Sequence, residues 1–225
     1  GTNPRLLAMY SLSNSKQAGL GVMLDMYNFK FNDYIGSIKS GRLEFVNYAT
    51  SVFAHKSFKN RVKFRIGVLY EYFKFKQDVV SDTSLIKFAE FSSYGTVFAS
   101  LNIDTYNNPF YSTKGAKGEL KVKYMIPLSD NTVSELFQNS TMIYLKYEHN
   151  IPISPKFTFR PGFFGAATLK QETLPPLQHW VGVGGLNPRN YVESHVSFTG
   201  VNFVQSWGIY TWIIRAKLQY NVFDK

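Results

Sequence analysis

Four histidines, His55, His149, His179 and His195, are the residues of this chain best suited by type to acid-base work or metal binding. None stands at the i,i+4 spacing that puts two imidazoles on one helix face, and cysteine, the usual zinc co-ligand, does not occur. The segment Gly182-Val183-Gly184-Gly185 is rich enough in glycine to wrap a phosphate, but no strand-then-helix unit with apolar 3.6 periodicity surrounds it. Gly-x-Ser-x-Gly, the elbow of many serine hydrolases, is missing. A hydrolase carrying its acid and base on a loop would have to use His179, Glu193 and His195, whose spacing matches no known mechanism. The expectation is therefore of a segment without catalytic residues, cofactor or metal.

The elements that would have to position any such group read as strands. Aromatic residues are 17% of the 225, which suits half-buried pleated strands and membrane interfaces, where a ring has one apolar and one wet side. From Arg61 to Tyr72 one parity reads Val62, Phe64, Ile66, Val68, Tyr70, Tyr72, and the other begins Arg61, Lys63, Arg65, Gly67. One face is greasy and the other basic. The split recurs at Leu120, Val122, Tyr124, Ile126 against Lys121 and Lys123, and at Phe157, Phe159, Phe163 against Thr158 and Arg160. Near the end, Tyr210, Trp212, Ile214, Ala216, Leu218, Tyr220 and Val222 oppose Arg215 and Lys217.

Seven same-face positions exceed an ordinary strand of about 5 to 6 residues and suit a tilted membrane strand of about 9 to 11. Tyr210 and Tyr220 are ten residues apart, so at ~3.3 Å per residue and a tilt near 40° their rings stand ~25 Å apart along the membrane normal, the separation of two aromatic girdles. Tyr70, Tyr72, Tyr210, Trp212 and Tyr220 are the candidate girdle residues. No apolar run approaches the roughly 20 residues of a spanning helix.

Nine strands are expected, at roughly 5-13, 18-30, 41-54, 60-76, 88-104, 116-127, 140-150, 156-167 and 208-223. Connections alternate between short (14-17, 55-59, 151-155, with 105-115 in the same series) and long (31-40, 77-87, 128-139 and above all 168-207). Short turns on one side and long loops on the other are the pattern of an outer-membrane barrel, periplasmic against extracellular. The fold class is thus all-β, an antiparallel transmembrane β-barrel, and residues 1-225 read as one barrel domain. Single-chain bacterial barrels close with an even strand number, so nine visible strands imply a domain incomplete at both ends.

The net charge of +10 and pI near 9.6 would suit an acidic partner in a soluble protein. Here the basic parity, Arg61, Lys63, Arg65, Lys121, Lys123, Arg160, Arg215 and Lys217, is expected to form a wet, electropositive lumenal wall, with Asp25, Glu44, Glu71, Glu119 and Glu148 as counter-charges. Nucleic acid is not the expected partner. Outer-membrane lipid is, together with missing strands, a second copy or a partner subunit to cover the sheet edges.

Two segments carry a family resemblance. Asp104-Thr105-Tyr106-Asn107-Asn108-Pro109-Phe110-Tyr111-Ser112-Thr113-Lys114-Gly115 resembles the turn before a middle strand in the outer-membrane assembly and two-partner-secretion (bacterial surface antigen) barrel superfamily, with Ser112 for the usual Pro. Gly184-Gly185-Leu186-Asn187-Pro188-Arg189-Asn190-Tyr191, inside the long connection, is similar to the segment that carries a Val-Arg-Gly-Phe or Val-Arg-Gly-Tyr tip folded back into the lumen. Pro188 and Asn190 stand where the family has Val and Gly. The resemblance covers roughly 104-223 and implies that Gly184, Gly185, Arg189, Asn190 and Tyr191 form a lumenal loop tip, in a barrel of about sixteen strands. The motifs look most like the barrels fused behind patatin-like phospholipases. That implies an integral outer-membrane domain that anchors a passenger or partner domain and can translocate it; an assembly or secretion barrel handling other polypeptides is the alternative within the fold.

Overall fold

The computed structural model of the chain describes residues 4-14, 16-35, 38-80, 91-129, 139-170, 179-185, 195-196, 198 and 206-222. Nine strands form one antiparallel sheet: β1 (Arg5–Ser13), β2 (Ala18–Ile35), β3 (Ile38–Phe58), β4 (Val62–Val80), β5 (Phe91–Asp104), β6 (Gly115–Ser129), β7 (Ser140–Pro152), β8 (Phe157–Lys170) and β12 (Tyr210–Tyr220). Neighbours in sequence are neighbours in space, and β8 pairs with β12 across the longest connection. Within it, β9 (Val181–Val183), β10 (His195–Val196) and β11 (Ser206–Gly208) make a separate three-stranded sheet.

The strand count is the expected nine, but six strands, β2 to β4 and β6 to β8, outrun their expected lengths. β2, β3 and β4 have 18, 21 and 19 residues, so most of the stretch 31-40, expected to be a long loop, is paired strand with a register shift at Asp33/Tyr34. Backbone pairing continues there past the end of the clean period-two pattern, because strands already zipped in register extend at little extra cost. The connection 168-207, expected to be loop throughout, likewise contains the three short strands.

Register places the two parities on opposite faces. Val52, Val68, Val97 and Tyr124 lie side by side across β3 to β6, and all four are exposed apolar side chains. The next row, Phe53, Gly67, Phe98 and Lys123, lies on the opposite, concave face. There Phe53 is buried between two glycines, Gly21 of β2 and Gly67 of β4. A Cβ at Gly21 would come within 2.5 Å of the Phe53 ring, and one at Gly67 within 2.3 Å of the Val52 carbonyl oxygen. The missing side chains are what let this ring lie flat on the sheet.

The outward face is a greasy band with an aromatic border at each end. Toward the long connections Tyr48 packs on Tyr72 at 6.1 Å and Tyr72 on Phe91 at 6.3 Å, with Tyr70, Tyr124, Tyr210 and Trp212 exposed nearby. Toward the short turns Phe157 meets Tyr220 at 5.0 Å. Of the expected girdle residues, Trp212 is 73% exposed and Tyr210 65%, as lipid-facing rings are when lipid is not counted.

The hairpins that turn the chain are tight. Arg61 N donates to the Phe58 carbonyl at 3.0 Å, and Lys59 and Asn60 both have positive φ, 49° and 54°, the two-residue turn whose twist matches that of the strands it joins. β1 and β12 end the sheet, each pairing on one side among the described residues.

If the outward band meets hydrocarbon, Val97→Arg at mid-strand should destabilise the full-length protein refolded into bilayers by about 2-4 kcal/mol, and Ile103→Arg, near the short-turn end of the same face, by about 0-1 kcal/mol. Denaturant unfolding of the two variants measures the difference.

Candidate functional site

The concave face holds three layers along the strands. Nearest the long connections it is apolar and dry. Tyr27, Phe45, Phe73, Tyr94, Met125, Tyr144 and Phe164 form one buried cluster, and Val181 of β9 and Val196 of β10 pack into it with 0% and 5% exposure. His179 is the peg. Its ring lies 4.7 Å from that of Tyr94, its Nδ1 is hydrogen-bonded with Ser140 Oγ at 3.2 Å, and its carbonyl accepts from Thr168 Oγ1 at 2.7 Å. β9 is flanked by β10, parallel, and β11, antiparallel. A segment of the long connection therefore lies inside the curve of the sheet.

The inner wall therefore carries an apolar layer in addition to the basic residues expected of it. The signal for the inner aromatics is in the sequence as paired neighbours, Tyr72-Phe73, Phe163-Phe164 and Ile213-Ile214. In a strand, two adjacent apolar residues put one on each face, so one of each pair points inward.

The middle layer carries charge. Lys123 Nζ stands 3.3 Å from Glu71 Oε1, with both side chains about nine-tenths buried, and Thr96 Oγ1 donates to Glu71 Oε2. Lys121 Nζ lies 5.6 Å from the Phe98 ring and the Arg65 guanidinium 6.0 Å from that of Phe53, contacts that favour a cation over an aromatic face. A cavity of about 430 Å³ runs through this layer. Six cations line it, Arg5, Arg65, Lys121, Lys123, Lys146 and Arg215, against the four carboxylates of Asp25, Glu71, Glu119 and Glu148, so the lining is net positive.

The third layer is the turn at 105-114, which folds over the short-turn end of β7 and β8. Asn107 Oδ1 accepts from Thr113 N, Lys114 N and Ser112 Oγ, and Asn108 Oδ1 from Phe110 N and Tyr111 N. These side-chain acceptors replace the pairing that a turn of this length lacks. Gly115 closes it with φ 107°, and a Cβ there would sit 2.2 Å from the Thr105 carbonyl oxygen. Ser112, in the place of the family's Pro, is buried, and its carbonyl accepts from Asn150 Nδ2 and Arg160 Nη2. Tyr106 donates to Glu148 Oε1 at 2.8 Å while Lys217 Nζ holds Glu148 Oε2 at 3.2 Å.

The expected basic wall is thus distributed. Lys121, Lys123, Arg65 and Arg215 line the cavity, Arg160 and Lys217 tie the turn to the wall, and Lys63 lies on the concave parity of β4 below Arg65. Arg61 is the exception. It ends the β3-β4 turn and is exposed, because the strand starts one residue later. Of the expected loop tip, Gly184 and Gly185 follow β9 with φ 136° and 70°, and Gly185 bridges Phe198; Arg189, Asn190 and Tyr191 lie outside the described residues. So does Glu193. Among the described residues no group of three His, Asp or Glu side chains could hold a metal, and no helix is long and apolar enough to cross a membrane.

Residues 16-225 match the family model described as the OMP85 superfamily. Among solved structures the chain is similar to BamA from Haemophilus ducreyi lacking POTRA domains 1-3, with a TM-score of 0.62 and 15% identity over 82% of this chain and 36% of that one. The chain thus spans about a third of that protein's length, and the likeness is one of fold. No curated protein gives a significant match.

Burial and then the hydrogen bond to Glu148 push the Tyr106 hydroxyl above its ordinary value near 10. The folded state therefore keeps this proton where the unfolded chain gives it up, so the turn's contribution is full below pH 10 and is lost as pH rises beyond it. Tyr106→Phe should lower stability near neutral pH by about 1 kcal/mol and flatten the fall above pH 10. Unfolding titrations of both proteins from pH 8 to 12 would show an unchanged alkaline slope if the hydroxyl were free.

Proposed function

Since the chain belongs to the OMP85 superfamily, we propose that residues 1-225 are the central part of one barrel domain of the bacterial outer membrane that anchors a partner or passenger domain and moves polypeptide through its lumen. The barrel lies in the outer membrane. The observation that carries the reading is the inverted sheet: lipid-compatible side chains outward, and inward a cavity with excess cation beside an apolar layer occupied by β9 and β10. A surface that accepts both a short strand and charged side chains suits an extended polypeptide.

In this reading Lys121, Lys123 and Arg215 provide a polar track, and β9 and β10 close its apolar end until a client displaces them. The loop-tip residues Arg189, Asn190 and Tyr191 would extend the same lodged segment. The sequence motifs at Asp104-Thr105 with Asn108-Pro109, at Gly184-Gly185-Leu186-Asn187 and at His195-Val196-Ser197-Phe198 favour a passenger of the patatin-like phospholipase kind, whose catalytic serine would lie in another domain. An assembly or secretion role on other outer-membrane polypeptides is the second reading, favoured by the BamA-like fold. Missing strands, a second copy or a partner subunit would cover the sheet edges in either case.

Single cysteines separate lumen from lipid. In the full-length protein arrested with its passenger, a cysteine at Lys121 should cross-link to passenger, and one at the neighbouring lipid-facing Val122 should not. Cross-links from Val122, or none from Lys121, would count against passage through this lumen.

A further inference from the structure

The connections on the short side of the sheet share a charge pattern that the lumen does not explain. Turn residues 14-17, 59-61, 105-114 and 153-156 contain Lys16, Lys59, Arg61, Lys114 and Lys156, and no carboxylate. All five cations are exposed. Asp104, at the end of β5, is 3.5 Å from Lys117. The connections at the other end of the sheet, 36-37, 81-90, 130-139 and 171-209, have the reverse balance, six Asp and Glu against two Lys and Arg.

These turns form a continuous rim. Each hairpin is two strands wide, so successive turns are about 10 Å apart, and backbone bonds tie them to neighbouring elements, Ser57 N to the Gln17 carbonyl, Asp104 N to that of Arg61 and Asn221 N to that of Lys156. Lys56 adds a second, independent observation. It lies on the lipid-facing parity of β3 between Ala54 and Phe58, is exposed, and its Nζ is 5.2 Å from the ring of Phe58. A cation on a lipid-facing parity is stable only where its stem can reach headgroups.

We propose that this rim binds the anionic phospholipid headgroups of the leaflet it meets, Lys56, Lys59, Lys114 and Lys156 facing the phosphates and Phe58 seated at the level of the ester groups. An acidic protein domain would need a compact patch reached from the aqueous side. Cations spread around the rim, one of them pointing sideways into lipid, fit a ring of headgroups instead. The inference rests on the transmembrane reading of the sheet and is independent of what passes through the lumen.

The test is the full-length protein reconstituted in phosphatidylcholine vesicles carrying a trace of spin-labelled phosphatidylglycerol or spin-labelled phosphatidylcholine. The immobilised fraction should favour the anionic lipid by about threefold or more, and the preference should fall to near equality in K56Q/K59Q/K114Q/K156Q but persist when the same four positions are Arg. Equal association of both lipids with the parent protein, or a preference that survives the Gln changes, overturns the proposal. Heat-modifiable migration in pure phosphatidylcholine reports insertion separately: a parent protein that does not insert there would remove the transmembrane reading, and this proposal with it.

Discussion

A strand in hydrocarbon has no water to satisfy its amide and carbonyl groups, and each one left unpaired costs several kcal/mol. Everything else in this fold follows from that constraint. It demands long, continuously paired strands, and β2, β3 and β4 run to 18, 21 and 19 residues. It also demands neighbours for β1 and β12, and a nine-stranded sheet with two ends becomes a membrane structure only when further strands cover them.

Once the backbone is satisfied by pairing, the side chains are free to divide labour by parity. Outward positions need only be apolar, with rings where oil gives way to water, and Val52, Val68, Val97 and Tyr124 require no partner beyond lipid. Inward positions must instead satisfy one another. Glu71 and Lys123 pair across β4 and β6, Phe53 lies over Gly21 and Gly67, and the upper aromatics are kept from water by β9 and β10. The lumen is thus packed at one end, polar in the middle and capped by the Asn107-Asn108 turn at the other.

The lipid-facing half of this architecture was legible from residues 61-72 and 210-222, because hydrocarbon tolerates only one kind of side chain and so imposes a strict alternation. The inner half was less so. A lumen accepts charge, aromatic rings and small residues alike, so the inward parity has no period of its own, and Tyr27, Phe45 and Tyr94 look unremarkable until the register sets them side by side. The lodged strands β9 to β11 are two or three residues long, too short for any pattern, and their place depends on contacts such as His179 with Tyr94 and Ser140. The turn at 105-114 lies between these cases: its Asn, Pro and Gly residues announced a turn, but not that Ser112 would be buried against Asn150 and Arg160.

The claim on which the account stands is that alternate residues of one strand see lipid and lumen. A nitroxide scan along β4 in bilayers tests it directly, comparing relaxation by oxygen, which partitions into hydrocarbon, with relaxation by a water-soluble nickel chelate. Labels at Phe64, Ile66, Val68 and Tyr70 should be oxygen-accessible and labels at Arg65, Leu69 and Glu71 should not, giving a period of two residues. Low oxygen access at Phe64, Ile66, Val68 and Tyr70, as in a dry protein core, would contradict it.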